Sequence, residues 1–161
     1  MNMLKAGLAV LALVFSMSSF ALTDEEQIEF TTAVTGGNIK MVKKYLDSGK
    51  IAVNDKFFAW TPVLSAASKN QTAMVKYLAE HGADINYRHP VNYMTSLAHA
   101  TFNANNELVE YLLQKGADPQ IKMRGDLSIL RMARDLGNTS TAELLTKYGA
   151  KDDGCQETKC F

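Results

Sequence analysis

Apolar residues in this chain recur at helical spacing within short blocks, and the blocks come in pairs. The clearest block carries its apolar residues at the i, i+1, i+4 and i+5 positions of one helical face: Leu108, Val109, Leu112 and Leu113. The block before it is shorter and contains the small residue Ala100 between apolar neighbours. Polar and glycine-containing stretches separate the blocks, so the pattern predicts short helices joined by turns.

One segment of the chain occurs more than once. Residues 77–84, with the sequence YLAEHGAD, return at 111–118 as YLLQKGAD, an offset of 34 positions. Four units follow from this register, at about 24–56, 57–89, 90–123 and 124–152. In each unit 21 positions separate an opening residue from a closing glycine; the pairs are Ile28 with Gly49, Thr61 with Gly82, Thr95 with Gly116, and Ser128 with Gly149.

Each unit carries signals for where its helices start and stop. Thr61-Pro62 combines an N-cap residue with a residue suited to the first helical turn, and Thr23 with Glu26 forms a capping box. The closing glycines supply the left-handed residue that ends a second helix. One equivalent position is always small, which lets two helices approach closely: Ala33, Ala66, Ala100 and Ala133.

These residues resemble the ankyrin repeat, whose consensus opens with Thr-Pro, continues with Ala-Ala in the first helix and closes with Gly-Ala-Asp. The second unit matches with Thr61-Pro62, Ala66-Ala67 and Gly82-Ala83-Asp84. The terminal units depart from the consensus, as capping repeats do, and Ile28 stands at the first unit's capping position. The resemblance implies an all-α ankyrin-repeat solenoid of four helix-turn-helix repeats with short hairpin loops, over residues 22–152.

The first 21 residues are interpreted as a cleavable signal peptide. Lys5 provides a positive start, 6–15 is an unbroken apolar run, and Ser19-Phe20-Ala21 is a small-x-small signal that predicts cleavage after Ala21. The run is too short to span a bilayer, and no second such run follows. Together with the resemblance, this leader implies a periplasmic protein of Gram-negative type.

Charge and motif content narrow the classes of function. The chain has 17 Lys plus Arg against 17 Asp plus Glu, which favours neither nucleic acid nor an anionic membrane as partner. None of His81, His89 and His99 belongs to a zinc pattern, and no phosphate-binding glycine loop is present. We therefore expect no catalytic residues, no metal and no cofactor. A hydrolase or redox enzyme would require activity that depends on His99 or Cys155.

The tail at 153–161 contains the only two cysteines, Cys155 and Cys160. Export would bring both into an oxidising compartment, so a disulfide between them is expected. Their spacing differs from the Cys-x-x-Cys of redox catalysts. Two alternatives stay open, a frayed tail with two thiols and a staple that pins Phe161 against the last helix pair.

The resemblance implies binding through the hairpin tips and the inner face of the first helices. Here those positions carry aromatic, apolar and cationic residues where polar turn residues are usual, which is typical of interface anchors. The candidate partner-binding residues are Phe57, Phe58, Trp60, Lys69, His89, Val91, Tyr93, Met94, Phe102, Asn103, Met123 and Arg124. The alternative for Trp60, Met94 and Leu127 is packing beneath the next hairpin, and for the other aromatics it is local packing of a distorted hairpin.

The expected partner is one other protein, a periplasmic effector or enzyme, bound by a chain that is a monomer when free. Two roles compete. Small exported binders resemble antidotes that block a toxic effector, and periplasmic ankyrin proteins also resemble accessory factors for oxidative-stress enzymes such as catalase. The sequence does not choose between them.

Overall fold

The computed structural model describes residues 22–151, and in that range the chain forms eight α-helices arranged as four helix-turn-helix pairs. The helices are α1 (Asp24–Thr35), α2 (Ile39–Asp47), α3 (Pro62–Ser68), α4 (Thr72–Glu80), α5 (Ser96–Phe102), α6 (Asn106–Gln114), α7 (Ile129–Asp135) and α8 (Thr139–Lys147), with a 3₁₀ turn at Arg124–Asp126. No β-strand occurs in these residues, only isolated bridges at two hairpins. The predicted all-α solenoid is therefore confirmed.

The odd-numbered helices form an inner layer in which α1, α3, α5 and α7 each pack on the next. In the outer layer α4 packs on α6, and α6 on α8. The predicted small position is buried in every repeat, and Ala66, Ala100 and Ala133 have no exposed surface at all. Larger apolar side chains belong to the same core cluster: Phe30, Leu78, Leu97, Leu108, Leu112, Ile129 and Leu145.

The predicted helix starts are confirmed by their hydrogen bonds. The hydroxyls of Thr61, Thr95 and Ser128 each accept a bond from the backbone N–H three positions on, at 3.4, 3.3 and 3.1 Å. Thr23 and Glu26 form the capping box, with the two side chain to backbone bonds at 3.2 and 3.1 Å. A cap of this kind stabilises a helix by about 1 kcal/mol.

The closing glycines end the outer helices as predicted. All four have positive φ, between 70° and 87°. After Gly82, the backbone N–H of Ala83 donates to the carbonyl of Leu78 at 3.0 Å, and the same bond recurs after Gly116 and Gly149. This is the Schellman arrangement, in which a left-handed residue lets the chain turn back and satisfy the last carbonyls.

The first repeat differs from the sequence prediction at Ile28. Because the Thr23 cap starts α1 at Asp24, Ile28 lies in the middle of a 12-residue helix, whereas α3, α5 and α7 have seven residues each. The assignment of Ile28 to a capping position is therefore wrong. Its side chain is 66% exposed on the inner layer.

Two ladders of side-chain amides connect successive repeats, and sequence analysis did not identify them. Asn54, Asn86 and Gln120 each donate to the carbonyl of the next closing glycine, at 3.1, 3.2 and 2.6 Å. In a second ladder, side-chain amides donate to carbonyls near the ends of the preceding inner helices. The donors are Gln71, Asn103 and Asn138, and the acceptors are the carbonyls of Thr35, Ala67 and Thr101. These bonds satisfy backbone groups at the repeat junctions and hold neighbouring repeats in register.

The predicted signal peptide (1–21), the end of the repeat domain at residue 152 and the tail with Cys155 and Cys160 lie outside the described residues, so they stay predictions. Across residues 22–151, no helix has both the length and the apolar character that crossing a membrane requires.

Replacing Ala100 by leucine should destabilise the protein by about 1–3 kcal/mol, because the larger side chain does not fit between closely packed inner helices. The matched control is Ala73→Leu on the exposed surface of α4, which should change stability by less than about 0.5 kcal/mol. Urea unfolding followed by circular dichroism measures both. Equal stabilities for the two variants would contradict the close-packing role of Ala100.

Candidate binding surface

The hairpin tip of the second repeat presents Phe58 to solvent in a strained backbone conformation. Phe57 and Trp60 exchange backbone hydrogen bonds at 2.9 and 3.0 Å, which leaves Phe58 and Ala59 as a two-residue turn. Both have left-handed φ values, 50° and 69°. Such a turn normally holds Asn-Gly, and a left-handed conformation costs other residues about 1–2 kcal/mol each. The Phe58 side chain is 96% exposed, so its own burial does not offset this strain.

Phe57 and Trp60, on either side of Phe58, are half-buried. The Phe57 ring lies 5.4 Å from the Phe30 ring, centroid to centroid, and packs on the core. The Trp60 ring lies 4.8 Å from His89 and 5.8 Å from His99, both in the next repeat. Trp60 therefore packs beneath the next hairpin, which was the alternative considered for it. The two half-buried rings hold the tip in place.

His99 is 8% exposed, and its Nε2 has no hydrogen-bond partner among the described residues. Burial, together with the smaller effect of the neighbouring His89, lowers the pKa of His99 to about 4. An imidazole kept neutral in this way packs against Trp60 as a mostly apolar ring.

The third tip projects two apolar side chains. Its ends are joined by a bond from the His89 N–H to the Met94 carbonyl at 3.0 Å, and Tyr93 has a φ of 60°. Val91 is 63% and Tyr93 is 42% exposed, and the Arg88 guanidinium stacks 4.8 Å from the Tyr93 ring centroid. Val91 and Tyr93 are thus on the surface, as the sequence predicts.

Three other predicted residues are less accessible than expected. His89 is 8% and Met123 is 7% exposed, so the expectation that they are exposed is wrong. Both lie at hairpin ends whose backbone bonds turn the chain back towards the core. Met94 is half-buried and packs on the core. Arg124 is exposed on the fourth tip.

The tips are tied to one another in a row. The Tyr87 hydroxyl donates to the Ala59 carbonyl at 2.9 Å and so connects the second tip to the third. The third is connected to the fourth by Arg88 Nη2, which donates to the Lys122 carbonyl at 2.8 Å, and by a backbone bond from Arg124 to Asn92. Projecting residues are therefore held by a fixed framework, which reduces the entropy lost on binding.

The predicted inner-helix residues have different environments. Phe102, the last residue of α5, is 57% exposed. Lys69 is exposed at the end of α3. Asn103 is half-buried, because its amide donates to the Ala67 carbonyl of the preceding repeat at 3.3 Å. Its role in the repeat junction accounts for its position, and a role in binding stays a prediction.

A groove of about 690 Å³ lies between α1, α3 and the second tip. It brings together four predicted residues, Phe57, Phe58, Trp60 and Lys69, with seven that sequence analysis did not assign to the site. These seven are Asp24, Gln27, Ile28, Thr31, Thr35, Ser65 and Ser68. Ile28, Thr31 and Thr35 share one helical face because of their spacing. Once α1 is known to start after Thr23, this spacing indicates that the three residues line the same surface.

The described residues offer an extended contact surface. Within 22–151 no group of three or more His, Cys, Asp or Glu residues is placed to hold a metal ion. What the surface does present is aromatic and apolar area beside a few charges, which is the composition of an interface core.

Comparison with known proteins identifies the repeats. The family described as "Ankyrin repeats (3 copies)" matches residues 30–123. A protein named "Ankyrin repeat, SAM and basic leucine zipper domain-containing protein 1" is 29% identical over 133 residues in Dasypus novemcinctus, and 34% identical over 118 residues in Loxodonta africana. "Ankyrin repeat and SAM domain-containing protein 6" of Rattus norvegicus is 32% identical over 122 residues.

These alignments cover most of this chain and little of its relatives. They include 80%, 70% and 74% of the chain, but only 28%, 25% and 14% of the three relatives. The similarity therefore concerns the repeats and not the other domains that the relatives' names mention.

Replacing Phe58-Ala59 by Asn-Gly should stabilise the protein by about 1 kcal/mol, because both new residues accept left-handed φ at lower cost. Urea unfolding at neutral pH measures the change. The control is Val91→Asn, at a residue that is also exposed but has no positive φ, and it should stay within about 0.5 kcal/mol of wild type. A less stable Asn-Gly variant would show that the tip is not strained.

Acid should weaken the fold through His99. The pKa of His99 is about 4 in the folded protein, against an ordinary value of 6.5. Between these two values the unfolded chain binds a proton that the folded protein does not. The contribution of His99 to the unfolding free energy is therefore complete above pH 6.5 and is lost as the pH falls towards 4. The loss should reach about 2–3 kcal/mol. Unfolding free energies measured over this range should fall less steeply in His99→Gln than in wild type, and parallel profiles would contradict the assignment.

Proposed function

The chain belongs to the ankyrin-repeat family, and from this premise we propose that it is a periplasmic protein that holds one protein partner against its hairpin tips and inner helices. Ankyrin repeats are protein–protein interaction modules, so binding is the general activity. The location, the surface and the biological role are the specific parts of the proposal.

The observation that carries the proposed surface is the exposure of Phe58, Tyr93 and Phe102 on the tips and inner helices. Large apolar side chains left in water contribute nothing to folding, and clusters of them mark interaction sites. The row of hydrogen-bonded tips holds two of these rings in fixed positions. Aromatic anchors on a rigid frame bind with a small loss of side-chain entropy.

The proposed location rests on the leader. Its positive start, apolar run and small-x-small signal are the three parts of a secretory signal peptide. Cleavage after Ala21 would begin the mature chain at Leu22, one residue before the Thr23 cap of α1. The leader would thus be removed without loss of any part of the helix pair that follows it.

For the biological role, we favour an antidote that blocks a toxic effector. A preformed surface with few anchors suits tight, long-lived binding to one folded protein, which is what blocking requires. An accessory factor for an oxidative-stress enzyme is the alternative, and the same surface would serve it.

Substituting two of the three exposed anchors, Phe58→Ser and Phe102→Ser, should abolish capture of the partner from a periplasmic extract, because truncating an anchor side chain costs about 2 kcal/mol or more. Affinity capture followed by mass spectrometry compares this variant with wild type. Lys44→Ser, at an exposed position of the outer helix α2, is the control and should retain the partner. Equal capture by all three proteins would disprove the assigned surface.

Two measurements in cells test location and role. Fractionation with N-terminal sequencing should find the protein in the periplasm with Leu22 as its first residue. An antidote should restore growth when the captured partner is expressed in the periplasm, whereas an accessory factor should change survival in peroxide without any toxin present. A cytosolic, unprocessed protein would contradict the proposed location.

A further inference from the structure

We propose that the groove between α1 and α3 receives a segment of the partner in which one large apolar side chain lies between a basic residue and an acidic residue. The basic residue would face Asp24 and the acidic residue would face Lys69. This inference deepens the proposed function and rests on it, since it states the chemistry of what the surface binds.

The groove is more apolar than its residue types suggest. Four of its polar side chains already donate their hydrogens to nearby backbone carbonyls: Gln27 to Leu22, Thr31 to Gln27, Thr35 to Thr31, and Ser68 to Ser65. These donors are not available to a partner. Apart from Ser65 and the charged residues Asp24 and Lys69, the remaining wall consists of Ile28 and the aromatic residues of the second tip. An apolar side chain is therefore the group that gains most by entering between the two charges.

The backbone around the groove offers a partner no edge to pair with. Two walls are α-helices, whose backbone N–H and C=O groups point along the helix axis and so present no sheet edge towards the groove. In the third wall, Phe57 and Trp60 use their backbone groups to bond each other. Recognition by addition of a β-strand is therefore excluded, and the partner must insert side chains.

Two opposite charges of the groove lack partners within the described residues. Asp24 and Lys69 form no ion pair there, and neither side chain makes a hydrogen bond. Two other carboxylates of α1 do have partners: Glu26 binds Lys50 at 2.6 Å, and Glu29 accepts a bond from the Tyr45 hydroxyl. One negative and one positive group on the same groove favour a partner that carries the complementary pair.

The size of the groove sets the length of the inserted segment. Its volume of about 690 Å³ exceeds that of one side chain and lies within the range of small-molecule pockets, roughly 300–1,000 Å³. The groove is lined by α1 from Asp24 to Thr35, about 16 Å along the helix axis, so a short helix or loop that presents one apolar residue with charged residues on both sides fits this space. Ile28, 66% exposed, and Phe58, 96% exposed, are the two side chains that such a segment would cover most.

Selection from a phage-displayed library of random 12-residue peptides on the purified full chain tests the inference. The enriched peptides should share one large apolar residue with Lys or Arg on one side and Asp or Glu on the other. A synthetic peptide of this consensus should bind Ile28→Ser at least about tenfold more weakly than wild type. Leu136→Ser, at a 46% exposed residue outside the groove, is the matched control and should bind within about twofold of wild type.

A charge reversal at the two ends of the groove makes the test specific. The double variant Asp24→Lys with Lys69→Glu should bind the consensus peptide about tenfold more weakly than wild type. It should instead bind the peptide in which the two charges are exchanged. Both positions are exposed, so the variant should keep the wild-type circular dichroism spectrum. Failure to enrich any peptide, a consensus without the two charges, or unchanged binding by Ile28→Ser would overturn the inference.

The two proposals fail separately. If the periplasmic partner is captured equally by wild type and Ile28→Ser, while Phe58→Ser with Phe102→Ser loses it, the groove chemistry is wrong and the binding function stands. If the consensus peptide binds as described but no periplasmic partner is captured, the proposed function is wrong and the groove chemistry stands.

Discussion

The close approach of neighbouring inner helices is the constraint on which the rest of this structure depends. It requires a small residue at one position of every repeat, and Ala33, Ala66, Ala100 and Ala133 fill it. No repeat can bury its apolar face alone, so each is stabilised mainly by its neighbours. The same stacking places the hairpin tips in a row and brings α1 beside α3. The groove and the projecting aromatics are thus consequences of how the repeats pack.

The second tip places a large aromatic side chain in a strained turn without burying it. Phe58 and Ala59 occupy a turn that Asn-Gly would fill with less strain. Most of the Phe58 side chain is in water, so folding gains nothing from it. Two contacts hold the turn in this conformation. Trp60 packs on two histidines of the next repeat, and the Tyr87 hydroxyl donates to the Ala59 carbonyl. Strained, exposed residues held by a rigid surround are the usual mark of a functional position.

Comparison with relatives assigns the fold and the general activity, and it goes no further. The chain matches about a quarter or less of the relatives' length. Their names describe additional domains that the aligned region does not represent. The specific partner of this chain must therefore be inferred from its own surface.

The sequence by itself determined the repeat, the caps, the closing glycines and the alanine stripe, because each of these depends on residues a few positions apart. It also indicated that Val91, Tyr93, Phe58 and Phe102 would be exposed. It could not separate Phe58 from Phe57, or show that His89 and Met123 are buried, because those outcomes depend on what the next repeat places against each side chain. The Thr23 capping box already indicated in the sequence where α1 begins. Only the tertiary structure decided that Ile28 faces the groove, since the groove consists of residues from two repeats that meet only when the repeats stack.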